Sequence, residues 1–165
     1  MRWFWIVLTG YALLVLEVSV VPVFRQMGGG PDLMLLFVIF LSLYGHVDDA
    51  PIVGWFLGLA KDSLSTGPFG LYAVLFLAAA FILSRIRSDI YLESGKAHAA
   101  NAGVATLFVY LANCFWRWSE GGDLGAMVPV AIGVAIWNAA VAPLAFGIFL
   151  RYGRRMGASR RLGDV

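Results

Sequence analysis

The chain has 165 residues, of which 61% are hydrophobic and only 13% are charged, and its mean hydropathy is +0.82. This composition excludes an ordinary soluble domain and predicts a protein that crosses a membrane several times. The net charge of +2 is small, and the basic residues stand at the ends of apolar runs, which argues against nucleic acid as a partner.

Six apolar runs are long enough, or nearly long enough, to count as membrane-spanning helices. A helix rises about 1.5 Å per residue and needs about 20 residues to cross a hydrocarbon core of about 30 Å. The sequence therefore predicts an all-α bundle of six transmembrane helices in one domain, residues 1–151, followed by a basic tail at residues 152–165. The predicted helices are residues 3–23, 32–47, 51–64, 68–86, 98–118 and 125–151.

The first run contains one carboxylate, Glu17, in its second half. The run lacks a small-residue cleavage site and is longer than the apolar core of a signal peptide, so we expect it to remain in the protein. A carboxylate at this position must be protonated, paired or directed into a polar interior. Glu17 either makes a hydrogen bond that holds two helices together, or it binds a ligand or carries a proton.

The third run, residues 51–64, spans only about 21 Å even if it is helical throughout. Either this helix lies in a thinned region of the bilayer, or its end turns inside the protein, where irregular backbone is shielded from lipid. Gly54, Gly58 and Asp62 recur every four residues, so they share one face of the helix. Two small residues on one face let a neighbouring helix approach closely within a membrane.

The polar segment after this helix carries the strongest candidate residues. Residues 65–68, Ser-Thr-Gly-Pro, predict a turn in which Thr66 or Gly67 caps the next helix. Two interpretations of Asp62 remain open. It either lies at the outer interface, where it caps the turn or pairs with Lys61, or it contacts a partner or a buried group in the bundle. Asn138, in the last run, is interpreted as a packing residue, because a membrane amide contributes only about 1 kcal/mol.

The distribution of basic residues predicts the orientation of the bundle. With the N-terminus inside, nine Lys and Arg residues lie on the cytoplasmic side and three lie outside, namely Arg25, Lys61 and Arg117. Both termini are therefore predicted to be cytoplasmic. The Arg-rich tail is expected to bind anionic lipid, at about 1 kcal/mol per basic residue. Aromatic anchors at the level of the lipid headgroups are expected at Trp3, Trp5, Trp116, Trp118 and Tyr152.

Redox, metal and catalytic chemistry have little support in the sequence. Cys114 is the only cysteine, so the chain cannot form an internal disulfide bond. Cys114, His46 and His98 lack the spacing of a metal site, and we expect neither a metal nor a cofactor. No histidine stands near the hydroxyl groups as a base, and Glu120 and Asp123 lie in a glycine-rich loop. The sequence therefore does not predict an enzyme.

Residues 58–73, GLAKDSLSTGPFGLYA, resemble the MreD family of bacterial rod shape-determining membrane proteins. The family pattern is a glycine-spaced helix that ends in Asp, a nearby Ser, and a Gly-Leu step into the next helix. The matching residues are Gly54, Gly58, Asp62, Ser65, Gly70 and Leu71. Weaker matches are residues 31–36, PDLMLL, which resemble the opening of the family's second helix, and the closing helix from Asn138 through Pro143 to Arg151.

The resemblance implies a non-enzymatic scaffold in the bacterial inner membrane, within the cell-elongation machinery that regulates cell shape and lateral peptidoglycan synthesis. The implied partner is the bitopic membrane protein MreC, with indirect contact to MreB and to the peptidoglycan polymerase and transpeptidase. Self-association is left open. A partner helix would pack on the glycine face, where a buried carboxylate would fix its register. The predicted partner-binding residues are Gly54, Gly58, Asp62, Ser65, Gly67 and Gly70.

An alternative function follows from a second resemblance. The family is similar in size and helix count to the substrate-binding S-components of energy-coupling-factor vitamin transporters. In that case, a cavity around Asp62 and Glu17 would bind a small molecule. Such a pocket needs convergent polar groups, and the sequence offers few polar side chains inside its apolar runs, so a partner helix is favoured over a vitamin. A proton-coupled transporter would need more relay groups than these two carboxylates.

Overall fold

The computed structural model describes residues 2–19, 22, 30–65, 67–87 and 95–153. Within these ranges the chain is all-helical, as the sequence predicted, with six α-helices and no strand. The predicted residues 20, 21 and 23 of the first helix, Thr66, and the tail residues 154–165 lie outside the described part. The helices are α1 (Arg2–Ser19), α2 (Leu33–Tyr44), α3 (Asp49–Leu64), α4 (Leu71–Ile86), α5 (Gly95–Ser119) and α6 (Leu124–Gly153).

Helix α2 is the centre of the bundle. It contacts each of the other five helices, and all of its residues from Met34 to Tyr44 are buried. A helix that is apolar on every side is typical of such a position. The helix begins after Asp32, whose carboxylate accepts a hydrogen bond from Leu35 N, and it ends at Gly45, whose N–H donates to Leu41 O.

The remaining helices pack around α2, and consecutive helices form two hairpins, α3 with α4 and α5 with α6. The short connection between α5 and α6 includes Gly121, whose φ of 93° suits a residue without a side chain. Among the described residues, α5 and α6 are the helices long and apolar enough to cross a membrane. Helices α1, α2 and α4 are shorter apolar helices.

An aromatic cluster surrounds the C-terminal half of α2. The ring centroid of Phe40 lies 5.7 Å from that of Phe146 and 5.2 Å from that of Phe149, both on α6. The hydroxyl oxygen of Tyr44 lies 2.6 Å from Nε2 of His98 on α5. Ring packing therefore attaches this end of α2 to α5 and α6, whereas polar contacts predominate at the other end.

Candidate functional site

A buried network of charged side chains joins α1, α3 and the start of α2. The ammonium nitrogen of Lys61 lies 2.7 Å from Oε1 of Glu17 and 2.5 Å from Oδ2 of Asp32. The exposed fractions of Glu17, Asp32 and Lys61 are 5%, 2% and 6%. Charges this deeply buried are costly to desolvate, and their mutual pairing offsets that cost. Lys61 thus holds two carboxylates that are distant from it in the sequence.

Both carboxylates also accept hydrogen bonds from other groups. Oε2 of Glu17 accepts from Met34 N at 3.1 Å, and Oδ1 of Asp32 accepts from Leu35 N at 3.0 Å. The hydroxyl group of Tyr110, on α5, donates to Oδ2 of Asp32 at 2.9 Å. The carboxylates therefore satisfy N–H groups in the first turn of α2, which have no partner within the helix itself.

Asn138 extends the network to α6. Its side-chain oxygen accepts a hydrogen bond from Asp32 N at 2.7 Å, and its side-chain nitrogen donates to Thr106 Oγ1 at 2.8 Å. Asn138 is fully buried, so both halves of its amide need these partners. The packing role that the sequence predicted for Asn138 thus takes the form of a three-way connection among α2, α5 and α6.

Asp62 is the next residue after Lys61, but its carboxylate points to α4. It accepts hydrogen bonds from the N–H groups of Gly70, Tyr72 and Ala73, each at 3.0 Å. These are N–H groups of the first turn of α4, so Asp62 caps that helix from the preceding one. The cap residue by position is Gly70, not Thr66 or Gly67 as predicted, and its φ of 99° is one that favours glycine.

Gly54 and Gly58 lie where α3 and α4 approach most closely. A Cβ atom added at Gly54 would lie 2.9 Å from Phe76 O, and one added at Gly58 would overlap the backbone at Tyr72 and Ala73. The close helix approach that the sequence predicted for this face is therefore made within the chain, by α4. Any docking of a separate partner helix would use a different surface of the hairpin.

The turn between α3 and α4 contains the two other predicted residues. Ser65 donates a hydrogen bond from its hydroxyl group to Asp62 O at 3.3 Å, and it is partly buried. Gly67 is also partly buried and, like Ser65, lines a cavity. Both residues therefore shape the polar end of the hairpin.

This cavity has a volume of about 590 Å³ and lies beside the charged network. Its described lining comes from the ends of α1, α3 and α5, from the starts of α2 and α4, and from Val130 and Val134 in the first half of α6. Its size is within the range of small-molecule sites. Its polar lining consists of Glu17, Asp32, Lys61, Ser65, Tyr72, Tyr110, Asn113 and Arg117.

The sequence analysis missed most of this network. It treated Lys61 as an outer-loop charge and Asp32 only as part of the PDLMLL motif, and it expected few polar groups inside the bundle. The structure instead gathers one lysine, two carboxylates, a tyrosine and an amide in the interior. A usable signal was present, because Glu17, Asp32 and Lys61 stand at ends of apolar runs that are predicted to lie on the same side.

The helical fold and its internal polar network define this protein as an α-helical bundle with two candidate membrane spans. The family model of the rod shape-determining protein MreD matches residues 1–115, which is more than half of the chain. The chain therefore belongs to the MreD family, as its motif indicated. This is a family of shape-determining membrane proteins and is not a known enzyme family.

A second similarity is to the high osmolarity signaling protein SHO1 of Mycosarcoma maydis. The two sequences are 30% identical over 131 residues, which is 79% of this chain and 36% of that protein. The chain thus spans about a third of the curated relative that it matches. No solved structure matches the chain.

Proposed function

We propose that the protein is a non-enzymatic inner-membrane scaffold of the bacterial cell-elongation machinery. In this role it binds MreC and thereby regulates cell shape and lateral peptidoglycan synthesis, with indirect contact to MreB, the polymerase and the transpeptidase. The observation that carries the proposal is membership of the MreD family, whose match includes the GLAKDSLSTGPFGLYA motif. That the family is not a known enzyme family supports a structural role.

The proposal includes six membrane spans with both termini in the cytoplasm. Two observations support this topology. First, the ends of α1, α3 and α5, which this topology places outside, line one cavity together with the starts of α2 and α4. Second, Lys61 is buried and paired, so it no longer counts as an outer-loop charge, and the basic excess on the cytoplasmic side increases. In this topology the tail at residues 152–165 contacts anionic lipid of the inner leaflet.

We propose that MreC docks on the outer surface of the α3–α4 hairpin. Gly54, Gly58 and Asp62 act from inside by fixing the spacing of the two helices and the cap of α4. The outward surface is rich in large apolar side chains, which suits a membrane helix as partner. The exposed residues of this surface are Trp55, Phe56, Val74 and Leu77.

The test combines co-purification with site-specific crosslinking. A photoreactive amino acid is placed at Phe56 or Val74 on the hairpin, and at Leu144 on α6, which is at least as exposed, as the matched control. MreC is expressed with each variant, and crosslinked products are identified by mass spectrometry. We expect MreC to co-purify with all three variants and to crosslink from the hairpin positions but not from α6.

The outcomes separate the function from the choice of surface. Crosslinking from Leu144 with none from the hairpin would contradict the docking surface and leave MreC binding intact. If MreC fails to co-purify with protein that still unfolds cooperatively on heating, the scaffold proposal is wrong.

The cavity favours one alternative, a small-molecule binding subunit similar to the S-components of vitamin transporters. Its volume of about 590 Å³ and its several polar side chains meet two requirements of such a site. This alternative predicts that a vitamin-like molecule and an ATPase module co-purify with the protein in place of MreC. Mass spectrometry of both the protein and small-molecule fractions from the same purification distinguishes the two functions.

A further inference from the structure

Two polar side chains that line the cavity take no part in the charged network. Asn113 and Arg117 lie one turn apart on α5, on the same face as Tyr110. Among the described residues, neither the amide of Asn113 nor the guanidinium of Arg117 has a hydrogen-bond or ion-pair partner. Asn113 is only 7% exposed, and it lines the cavity.

The other cation that lines the cavity already has ion-pair partners. Lys61 binds the carboxylates of Glu17 and Asp32, and each of these also accepts a backbone hydrogen bond. Among the described lining residues, Arg117 is therefore the cation that makes no ion pair, and Asn113 lies one turn before it on α5. A guanidinium with an adjacent N–H donor is suited to the oxygens of an anion.

The neighbours of Arg117 indicate its depth in the membrane. Trp116 and Trp118 flank it and are exposed, and tryptophan is enriched at the level of the lipid headgroups. Lipid phosphates lie at that level. The cavity is also lined by Leu64 and Val130, which are exposed on the outside of the bundle, so its apolar wall continues onto the surface that faces lipid.

We propose that the cavity binds the phosphate of an anionic phospholipid through Arg117 and Asn113, with the acyl chains along the apolar rim that includes Leu64 and Val130. A zwitterionic choline lipid is disfavoured, because its choline cation would lie next to the phosphate and therefore near the guanidinium group of Arg117. The site lies beside the first half of α6, away from the end of that helix at Gly153. The inference concerns the cavity and does not depend on MreC binding.

The test measures lipid retention by the purified full-length protein in detergent. The probes are phosphatidylglycerol, phosphatidylcholine and inorganic phosphate, and the readouts are native mass spectrometry and the Tm. We expect phosphatidylglycerol to be retained about tenfold more strongly than phosphatidylcholine, because the choline headgroup places a second cation near the guanidinium group of Arg117. Inorganic phosphate at the same concentration should raise the Tm less than phosphatidylglycerol does.

Substitutions distinguish this site from the rest of the surface. Arg117→Gln and Asn113→Leu should lower phosphatidylglycerol retention to the level of phosphatidylcholine, whereas Arg117→Lys should keep part of it. The matched control is Arg85→Gln, which removes an exposed arginine from α4 outside the cavity and should have no effect. The basic tail is present in every variant, so its contribution to lipid binding cancels.

Three results would overturn the inference. They are equal retention of the two lipids by the wild-type protein, equal retention of phosphatidylglycerol by Arg117→Gln and Arg85→Gln, and stabilisation by inorganic phosphate that matches the lipid. If Arg117→Gln does not fold, the inference is tested by Asn113→Leu and by the comparison of the two lipids in the wild-type protein. Loss of MreC with retained lipid selectivity would contradict the proposed scaffold function and leave this inference standing.

Discussion

Lys61 and Asp62 are neighbours in the sequence, but they stabilise different parts of the molecule. Lys61 is paired with carboxylates on α1 and at the start of α2, 44 and 29 positions away. Asp62 accepts three hydrogen bonds from backbone groups that follow it by 8 to 11 positions, all at the start of α4. Consecutive helical residues point about 100° apart, so one short helix carries a tertiary connection on one face and a local cap on the other.

The two faces also differ in what remains when a side chain is removed. Without Lys61, two buried carboxylates would lose the cation that pairs with them. Without Asp62, the N–H groups at the start of α4 would lose an acceptor, but no charge would be left alone, and water reaches this turn because Gly70 is partly exposed. We therefore expect the Lys61 face to control the stability of the whole bundle, and the Asp62 face to control the local stability of the α3–α4 hairpin.

The largest effect is expected from Lys61→Met. Removing one partner of a buried ion pair costs about 3 to 5 kcal/mol, because the remaining charge is uncompensated. We expect a strong fall in Tm in detergent and little accumulation in the membrane. The matched control is Lys96→Met, since Lys96 is exposed and is the chain's other lysine. Equal Tm values for the two variants would contradict the importance of the network.

A double variant makes this test sharper. If the cost of Lys61→Met comes from the stranded carboxylates, adding Glu17→Gln should recover part of the lost Tm, because it removes one of the two negative charges. Additive losses in the double variant would mean that the two residues stabilise the bundle independently.

Gly58→Ala should have the next largest effect, on the opposite face. The added methyl group would overlap the α4 backbone at Tyr72 and Ala73, so the two helices must separate. Overpacking of this kind costs about 1 to 3 kcal/mol. The control is Gly147→Ala on α6, where nothing lies within 4 Å of the added atom and helix propensity favours alanine. Thermal unfolding of both variants measures the difference, and a similar Tm for the two would exclude a tight α3–α4 contact.

Asp62→Ala removes the cap of α4, and we expect a loss of about 1 to 2 kcal/mol, the usual cost of losing a cap. Asp48→Ala is the control, because Asp48 is the residue at the N-terminal cap position of α3 but its side chain makes no capping hydrogen bond. Hydrogen exchange of the first turn of α4 gives a local readout. Faster exchange there only in Asp62→Ala would support capping, and unchanged exchange would exclude it.

The fold was largely predictable because helix formation in this chain follows from runs of apolar residues, and all six runs became helices in the described residues. The glycine spacing also predicted a close helix approach correctly. It could not identify the approaching helix, since small residues at Gly54 and Gly58 fit a neighbour in the same chain as well as one in another. The sequence placed Glu17, Asp32 and Lys61 toward the same side of the membrane, but their pairing depends on how three helices are arranged in space.

Asp32 and Tyr110 show the same limit of what the sequence can predict. The sequence shows Asp32 as a good residue to precede a helix, and this part of its role is local. Its second oxygen receives Lys61 and Tyr110, which lie 29 and 78 positions away. A helix cap can be found by inspecting four residues, whereas a shared carboxylate oxygen becomes visible only when the bundle is assembled.

The smallest effect is expected from Tyr110→Phe, which tests how far the network depends on its outer members. The variant removes one hydrogen bond to Asp32 but leaves the ion pair with Lys61 in place. Hydrogen bonds between membrane helices contribute about 0.6 kcal/mol on average, so the Tm should fall by only a few degrees. Tyr11→Phe is the control, because Tyr11 is exposed on α1. A loss of Tm as large as that of Lys61→Met would mean that the Tyr110 hydroxyl group, and not the Lys61 ammonium group, holds Asp32 in place. The stability of the bundle would then depend on α5 as much as on the Lys61 face of α3.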